Sequence, residues 1–519
     1  MNQPPDVVRF ARVNLALAVA LFSLWATAAQ SADTLATLRA RLTKLVAEPR
    51  FAAAHWGVDI VSLDTGQTVF AHDAGRALEP ASNAKLFTAA LALERLGPDF
   101  RFRTSVYAAA RPDAAGTLAG DLILFGRGDP TLATPALRAL AARLAAAGVR
   151  RVRGDLIADE SFFRGPTQGA GWEPEDRLYF YAPEVSALTV NDNATVVWVK
   201  PDDQEGRPAK VIVQPPVSFL MVSNLTRTVA AGGPHVMTLE RRPGDIRLRV
   251  GGRLAVGSGA RSQGISVPQP ARWCGELLRG ALRERGIEVA GTVRIVDAAA
   301  RLAAPLDANR LVELAAVVSP PLRDVLPRML KPSQNLYAQL LLLQVGAGAR
   351  LRPGNPPPPA TDVDAGLRAL GNFLGNLGVP VGTVRFEEGS GLSRHDTATA
   401  EAIVRVLWFM DRRPAAATFR DALPVAGVDG TLKERMVGTR AAVNVHAKTG
   451  SFAGVEALSG YVTSVAGERF AFALLFNDDH NGGGSRATVV DMDGIAVQLA
   501  GLKERTTPVS AAGASTGKP

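Results

Sequence analysis

Ser82 and Lys85 stand three residues apart in Glu79-Pro80-Ala81-Ser82-Asn83-Ala84-Lys85-Leu86-Phe87. On a helix such residues share a face, so the Lys85 amine can reach the Ser82 hydroxyl and put a possible base beside a nucleophile. Alone the pattern is weak: a second copy, Ser515-Thr516-Gly517-Lys518, lies in a tail without apolar periodicity. A helix-capping serine followed by a solvated lysine is the commoner source of this spacing. Two more motifs occur once each, Ser333-Gln334-Asn335 near the start of an apolar helix and Lys448-Thr449-Gly450-Ser451 leading into a strand. Singly, Ser333 reads as a cap, Asn335 as a turn residue and Lys448 as a surface charge. In that order and context the three together are far more specific than any member.

The elements that must carry these residues are legible nearby. Pro80 and Ala81 suit a helix start, Leu86 to Leu96 gives the helix a buried side, and Leu96-Gly97-Pro98 stops it. Upstream, Leu35 to Val46 reads as an amphipathic helix, and Trp56 to Ser62 turns at Asp64-Thr65-Gly66 into Thr68 to His72 as a hairpin. Beyond Pro98 short strands and an Ala/Leu-rich helix from Pro135 begin a second unit. A recurring helix–Gly–strand pattern, at Leu144 to Ile157, Leu282 to Ile295 and Leu374 to Phe386, places a helix-ending glycine before a β-branched run. The first two copies flank a stretch rich in Pro, Trp and Tyr. Leu458 to Ser464 and Arg469 to Asn477 form a second hairpin before a last helix, Ala487 to Leu502.

The fold class expected is therefore α/β (α+β), with an antiparallel sheet flanked by helices and two nested inserted domains. The expected limits are a catalytic domain at 33–98 and 301–505, an inserted α/β domain at 99–158 and 245–300, a nested β-rich domain at 159–244, and a disordered tail at 506–519.

With 519 residues, 47% hydrophobic and 21% charged, the chain is expected to fold as several domains. Its net charge of +9 comes from scattered arginines, with no dense Lys/Arg run interleaved with aromatics, so nucleic acid is not an expected partner. Six histidines show no metal-ligand spacing, and no metal or cofactor is expected. Gly482-Gly483-Gly484 lacks the Lys-Ser/Thr of a phosphate loop and reads as a flexible turn; Pro353 to Pro359 reads as an exposed spacer. Arg9 and Arg12, the apolar run Val13 to Trp25 and the small residues Ala26 to Ala32 read as a signal peptide over 1–32, implying export to the periplasm and no integral membrane span after cleavage. The lone Cys274 excludes an internal disulfide framework.

The three motifs, with Gly128-Asp129-Pro130-Thr131-Leu132, the block Ser186 to Asn193, Gly389-Ser390-Gly391-Leu392-Ser393-Arg394, the block Leu423 to Leu432 and the block Gly454 to Tyr461, resemble the exported D-alanyl-D-alanine carboxypeptidase/endopeptidases, penicillin-binding proteins of the low-molecular-mass class C kind. The likeness spans nearly all of residues 33 to 505. It implies a serine DD-peptidase/β-lactamase-like catalytic domain, with the long interval from Ser82 to Ser333 filled by the inserted domains. It further implies peptidoglycan stem peptides and β-lactam antibiotics as partners, Ser82 as acylated nucleophile and Lys85 as its base, its proton loosened by desolvation and by the second cation, Lys448. Ser333 would relay the proton to the leaving amine and Asn335 hold the substrate amide. Backbone N–H groups of Ser82 and Ser451 would form the oxyanion hole, and Thr449 and Ser451 with Lys448 would bind the terminal carboxylate. Asp159 would hold the far end of a diaminopimelate side chain; read without the resemblance it is a turn-starting aspartate. The sequence departs from the pattern at Gln334, where Asp or Asn is frequent, and at Glu387-Glu388-Gly389, where Asp-Gly is common. A serine β-lactamase, or a non-catalytic wall-binding protein on the same fold, are the other readings.

Overall fold

The computed structural model describes residues 34–305, 310–351, 360–478 and 486–507. The signal peptide, the Pro353 to Pro359 spacer, the Gly482 to Gly484 turn and residues 508–519 of the tail lie outside the described residues.

The framework is a five-stranded antiparallel sheet with strand order His446–Phe452, Val455–Thr463, Arg469–Asp478, Ala54–Ser62, Thr68–His72. A hairpin from the start of the chain thus completes a meander from its end. Period-two alternation sorts the third strand: Phe470, Phe472, Leu474 and Phe476 face one core, Ala471, Ala473 and Leu475 the other. The large side chains meet the terminal helices Leu35–Val46 and Arg486–Gly501. The small ones let helices come close on the opposite face, where Ala84–Leu96, Leu322–Leu330, Asn335–Arg350, Asp362–Asn376 and Ala400–Asp411 build the larger core.

Between the first two motifs the chain builds a second sheet, with order Val293–Val296, Leu156–Asp159, Leu122–Phe125, Arg103–Ala108, Val312–Val318. Helices Thr134–Ala146 and Pro270–Glu284 pack with it around Leu137, Leu144, Trp273 and Leu278. Gly148 and Gly286, in the first two copies of the repeated pattern, take φ of +87° and +72°, and the strands they lead into pair parallel to each other. Gly378 also ends its helix left-handed, at φ +72°, but no strand follows. Pro380 has no N–H to donate to a ladder, and Gly382 turns the chain.

Several of the expected domain limits move. Arg247–Ala255 and Arg261–Ser266 pair with Met221–Val229, Val236–Glu240 and Ala194–Lys200, so the nested β-rich unit runs on to Ser266. Pro243-Gly244, expected as a boundary, is a hairpin turn inside it. Strand Val312–Val318 pairs antiparallel with Arg103–Ala108 and so belongs to the inserted sheet, which moves the limit at 300/301 to Ser319. The stretch from 160 to 190 is not part of the β-rich core either: Trp172, Ala182 and Val185 are buried in the catalytic helical core, Leu188 and Val190 in the inserted one.

The tail begins later than residue 506. The buried Glu468 carboxylate accepts from the backbone N–H and hydroxyl of Thr506 and from Ser62 Oγ, and Glu504 accepts from the N–H of Leu35 at 2.7 Å. A chain ending at Lys503 leaves Glu468 buried with fewer donors, which costs about 1–3 kcal/mol for such a group. Its melting temperature should fall by several degrees; an unchanged melt would mean that the latch contributes nothing.

Candidate active site

Ser82 sits in a single 3₁₀ turn, Ala81–Asn83, that runs straight into the helix Ala84–Leu96. Ala81 takes φ +45°, a left-handed value that costs a non-glycine residue about 1–3 kcal/mol and is sustained only by firm surroundings. Those surroundings are visible. A Cβ added to Gly450 would lie 2.7 Å from Pro80 O and 3.0 Å from Ser82 N, so the Lys-Thr-Gly strand lies directly against the turn. Gly391, at φ +75°, closes the other side, where a Cβ would come within 2.0 Å of Ala81 O.

The Ser82 hydroxyl does not cap the helix; it accepts a hydrogen bond from Lys85 Nζ at 2.8 Å. The same amine donates to Asn335 Oδ1 at 2.6 Å and to Ser390 O at 2.7 Å. Asn335 is fixed from its other end, Nδ2 donating to Tyr181 O at 2.8 Å. Ser333 occupies the turn before the helix Asn335–Arg350 at φ +65°, and Lys448 Nζ donates to its hydroxyl at 2.9 Å and to Thr449 O at 2.7 Å. Ser82, Lys85, Asn335, Ser333 and Lys448 thus form one cluster from three segments of chain. Neither Ser333 nor Lys448 has the role its motif alone suggested: Ser333 caps nothing, and Lys448 is buried.

Both lysines are fully buried. Burial holds Lys85 down to about 7, against the opposing pull of the Glu388 and Asp396 carboxyls. Lys448 is lowered by burial and further by repulsion from Lys85. Of the two causes expected to loosen the Lys85 proton, desolvation acts at Lys85 itself, and the repulsion between the two amines appears at Lys448.

The remaining predicted residues are placed differently. Thr449 and Ser451 share the face opposite Lys448 and Gly450, by strand alternation. The Thr449 hydroxyl donates to Thr431 at 2.8 Å, and Ser451 donates to Glu456 at 2.9 Å, a buried carboxyl whose proton affinity burial raises. Asp159 is not brought to the cluster. Its carboxylate is inaccessible and is taken up by Arg301 and by the N–H of Ser161, as expected of a structural aspartate at a strand end. Groups the motifs did not reveal are the carbonyls of Tyr181 and Ser390. The Gly-x-Gly spacing at 389–391 was the available signal for the second; nothing in the sequence around Tyr181 marked the first.

The loops quoted for the family likeness pack around this cluster. Gly128 N donates to Ala187 O at 2.8 Å and Asn191 N to Leu132 O at 3.0 Å, locking two blocks together. Lys331 bridges Asp429 and Leu423 O, tying the Leu423 to Leu432 block to the base of the Ser333 turn. A family model for the D-Ala-D-Ala carboxypeptidase 3 (S13) family matches residues 38–499. The chain belongs to this family. It is accordingly a serine-type DD-peptidase, a hydrolase. The D-alanyl-D-alanine carboxypeptidase of Actinomadura sp. (strain R39) is 37% identical over 497 residues, covering 94% of this chain and 88% of that one. The crystal structure of penicillin binding protein 4 from Haemophilus influenzae matches with a TM-score of 0.74 at 26% identity, over 87% of this chain and 97% of that one. A predatory endopeptidase of Bdellovibrio bacteriovorus, at 17% identity and a TM-score of 0.50, over 88% of this chain and 97% of that one, shares the fold.

In this S13 peptidase the contact between turn and strand leaves no room at position 450. Gly450→Ala should displace one from the other, lowering stability by about 1–3 kcal/mol. Covalent labelling of the protein by a fluorescent penicillin should fall at least tenfold. Full labelling with an unshifted melt would show that the two segments are not in this contact.

Proposed function

We propose that the protein removes the terminal D-alanine from peptidoglycan stem peptides through an acyl-enzyme on Ser82. The observation that carries this is the Lys85 amine, buried and in contact with the Ser82 hydroxyl, where burial lowers its hold on the proton. Ser82 Oγ attacks the carbonyl carbon of the penultimate D-alanine while Lys85 Nζ takes the hydroxyl proton. The oxyanion is held by the N–H groups of Ser82 and Ser451, on segments that the absent side chain of Gly450 allows to touch. The C–N bond then breaks. Its nitrogen receives the proton that Lys85 took from Ser82, relayed through Ser333 Oγ, which Lys448 orients, and free D-alanine leaves. With Lys85 neutral again, water attacks the ester, Lys85 Nζ takes its proton and returns it to Ser82 Oγ as the C–O bond breaks, and the peptide departs one residue shorter. Asn335 aligns the substrate amide, and Thr449 and Ser451 take the terminal carboxylate once their hydroxyls turn from Thr431 and Glu456.

A β-lactam fits the same scheme. Its amide nitrogen stays tethered after acylation, blocking water, and the Haemophilus influenzae relative has been crystallised with such a compound. Cross-link cleavage is the same acyl transfer with an amine-bearing side chain as leaving group. The reading includes export, with residues 1–32 as the signal and the periplasm as the place of action. Among the described residues no helix is long and apolar enough to cross a membrane.

Wild type should bind fluorescent penicillin covalently and release D-alanine from a pentapeptide, and Ser82→Ala should do neither; equal labelling of both would sink the assignment. A cross-linked muropeptide dimer in parallel, read by mass spectrometry, tells carboxypeptidase from endopeptidase. Rapid loss of the penicilloyl label would mark a β-lactamase instead. Because the reactive form of Lys85 is the unprotonated amine, acylation should rise about tenfold per pH unit below pH 7 and level off above it. An ordinary lysine, near 10.5, would still be rising at pH 9. Lys85→Ala should keep the melting temperature within a few degrees and slow acylation by about 10²–10⁴-fold.

A further inference from the structure

Behind Lys85 lies a pair of carboxyls that the reaction scheme does not use. Glu388 is wholly buried, with Oε2 accepting from Ser390 N at 2.7 Å and Oε1 from Leu392 N at 2.8 Å. It therefore clamps the loop whose Ser390 carbonyl receives the Lys85 amine. The loop is held from other sides by Gln339, accepting from Gly389 N at 2.8 Å, and by Thr88, donating to Gly389 O at 2.6 Å. Asp396 is buried beside it. Its Oδ1 accepts from Glu387 N at 2.7 Å, whereas Oδ2 has, among the described residues, no N–H or O–H donor to accept from. A buried carboxylate oxygen without a donor is costly, and a neighbouring carboxylate makes it more so. Both costs vanish if Asp396 keeps its proton and donates it to Glu388. Burial first, then the charge of Glu388, accordingly push Asp396 up to about 9.

We propose that Glu388 and Asp396 are positioning residues for Lys85, sharing one retained proton and presenting a single negative charge from behind the Ser390–Leu392 loop. The count matters. With two ionised carboxyls the Lys85 ammonium would be held too firmly to act as a base near neutral pH; with none, burial would be unopposed. The other charged groups facing the pair are Glu387, with His395 against it at 3.1 Å, and Lys85 itself, with Lys448 beyond. Arg394 is engaged elsewhere, with Glu79 and Ala453 O.

The inference rests on Lys85 being the base, but its central claim can be read separately. The infrared difference spectrum of wild type minus Asp396→Asn at pH 7 should contain the carbonyl band of a protonated carboxyl, whether or not Lys85 acts as proposed; absence of the band overturns the inference. The pH profile of penicillin acylation tests the consequence. Glu388→Gln removes the charge, so the midpoint should move down by about one pH unit. Asp396→Asn keeps a donor toward Glu388 and an acceptor for Glu387 N, so its midpoint should stay within about 0.3 unit of wild type. Equal downward shifts in both variants would mean that both carboxyls are ionised, and an unmoved midpoint in Glu388→Gln with a lowered melt would leave only a structural clamp; either result overturns the proposal. Should Glu388→Gln not fold, the infrared band and the Asp396→Asn profile decide it alone.

Discussion

Two lysine side chains buried within one cluster, without a carboxylate in direct contact, set the terms for the rest of the structure. Removing an ammonium from water costs several kcal/mol after relaxation, and two near one another cost more. Neither is compensated by an ion pair. Lys85 has three oxygen acceptors and Lys448 two, all neutral. The fold tolerates this because the helices around Ala84–Leu96 and the five-stranded sheet bury large apolar surfaces on either side. In the proposed mechanism the unfavourable burial is also what makes Lys85 available as a base, so part of the stability of the scaffold is converted into reactivity.

The same constraint explains why about 220 residues, between Phe100 and Leu322, can be inserted between Ser82 and Ser333 without disturbing either. The insertion leaves and re-enters through one narrow base: Ser319 N donates to Phe102 O at 3.0 Å, Leu322 N to Phe100 O at 2.8 Å, and the first and last strands pair directly. Closing so long a loop through a flexible chain would cost little more than closing one half as long, since loop entropy grows only with the logarithm of length. Closing it rigidly does more, because it fixes where the helix Leu322–Leu330, and after it the Ser333 turn, begin. The insertion also returns to the site it interrupts. Tyr181 O orients the Asn335 amide, and Asp192 meets Gln334 at 3.4 Å, so the domains that separate two motifs in sequence help to align the second against the first in space.

How much of this could be read from the residues follows from the range of the interactions. The helix from Ala84, its stop at Gly97 and the two hairpins of the main sheet are local, and glycine placement with apolar periodicity gave them. The three motifs supplied the cluster. Domain limits were misplaced wherever a strand pairs with a distant partner: nothing near Val312–Val318 says that it belongs beside Arg103–Ala108, and the alternation of Arg247–Ala255 is the same whichever sheet receives it. Asp159 was ambiguous for a similar reason. A carboxylate that ends a strand looks alike in sequence whether it faces a cleft or an arginine 142 residues away. Tyr181 contributes only a carbonyl, which any residue would supply.

Backbone strain binds these parts together. Ala81 and Ser333, at φ +45° and +65°, are non-glycine residues in the left-handed region, each costing about 1–3 kcal/mol. Relaxing either would swing a hydroxyl away from its lysine, Ser82 from Lys85 or Ser333 from Lys448. At Ala81 what prevents it is the absence of side chains: Gly450 and Gly391 bring the Lys-Thr-Gly strand and the Ser390 loop against the turn at distances that no Cβ permits. Those two glycines are therefore as much a part of the site as the lysines. They keep the serine in a geometry it would not choose, and they do so from segments that also carry the Lys448 ammonium and the Ser390 carbonyl, so that a shift in either segment would change strain and proton affinity together.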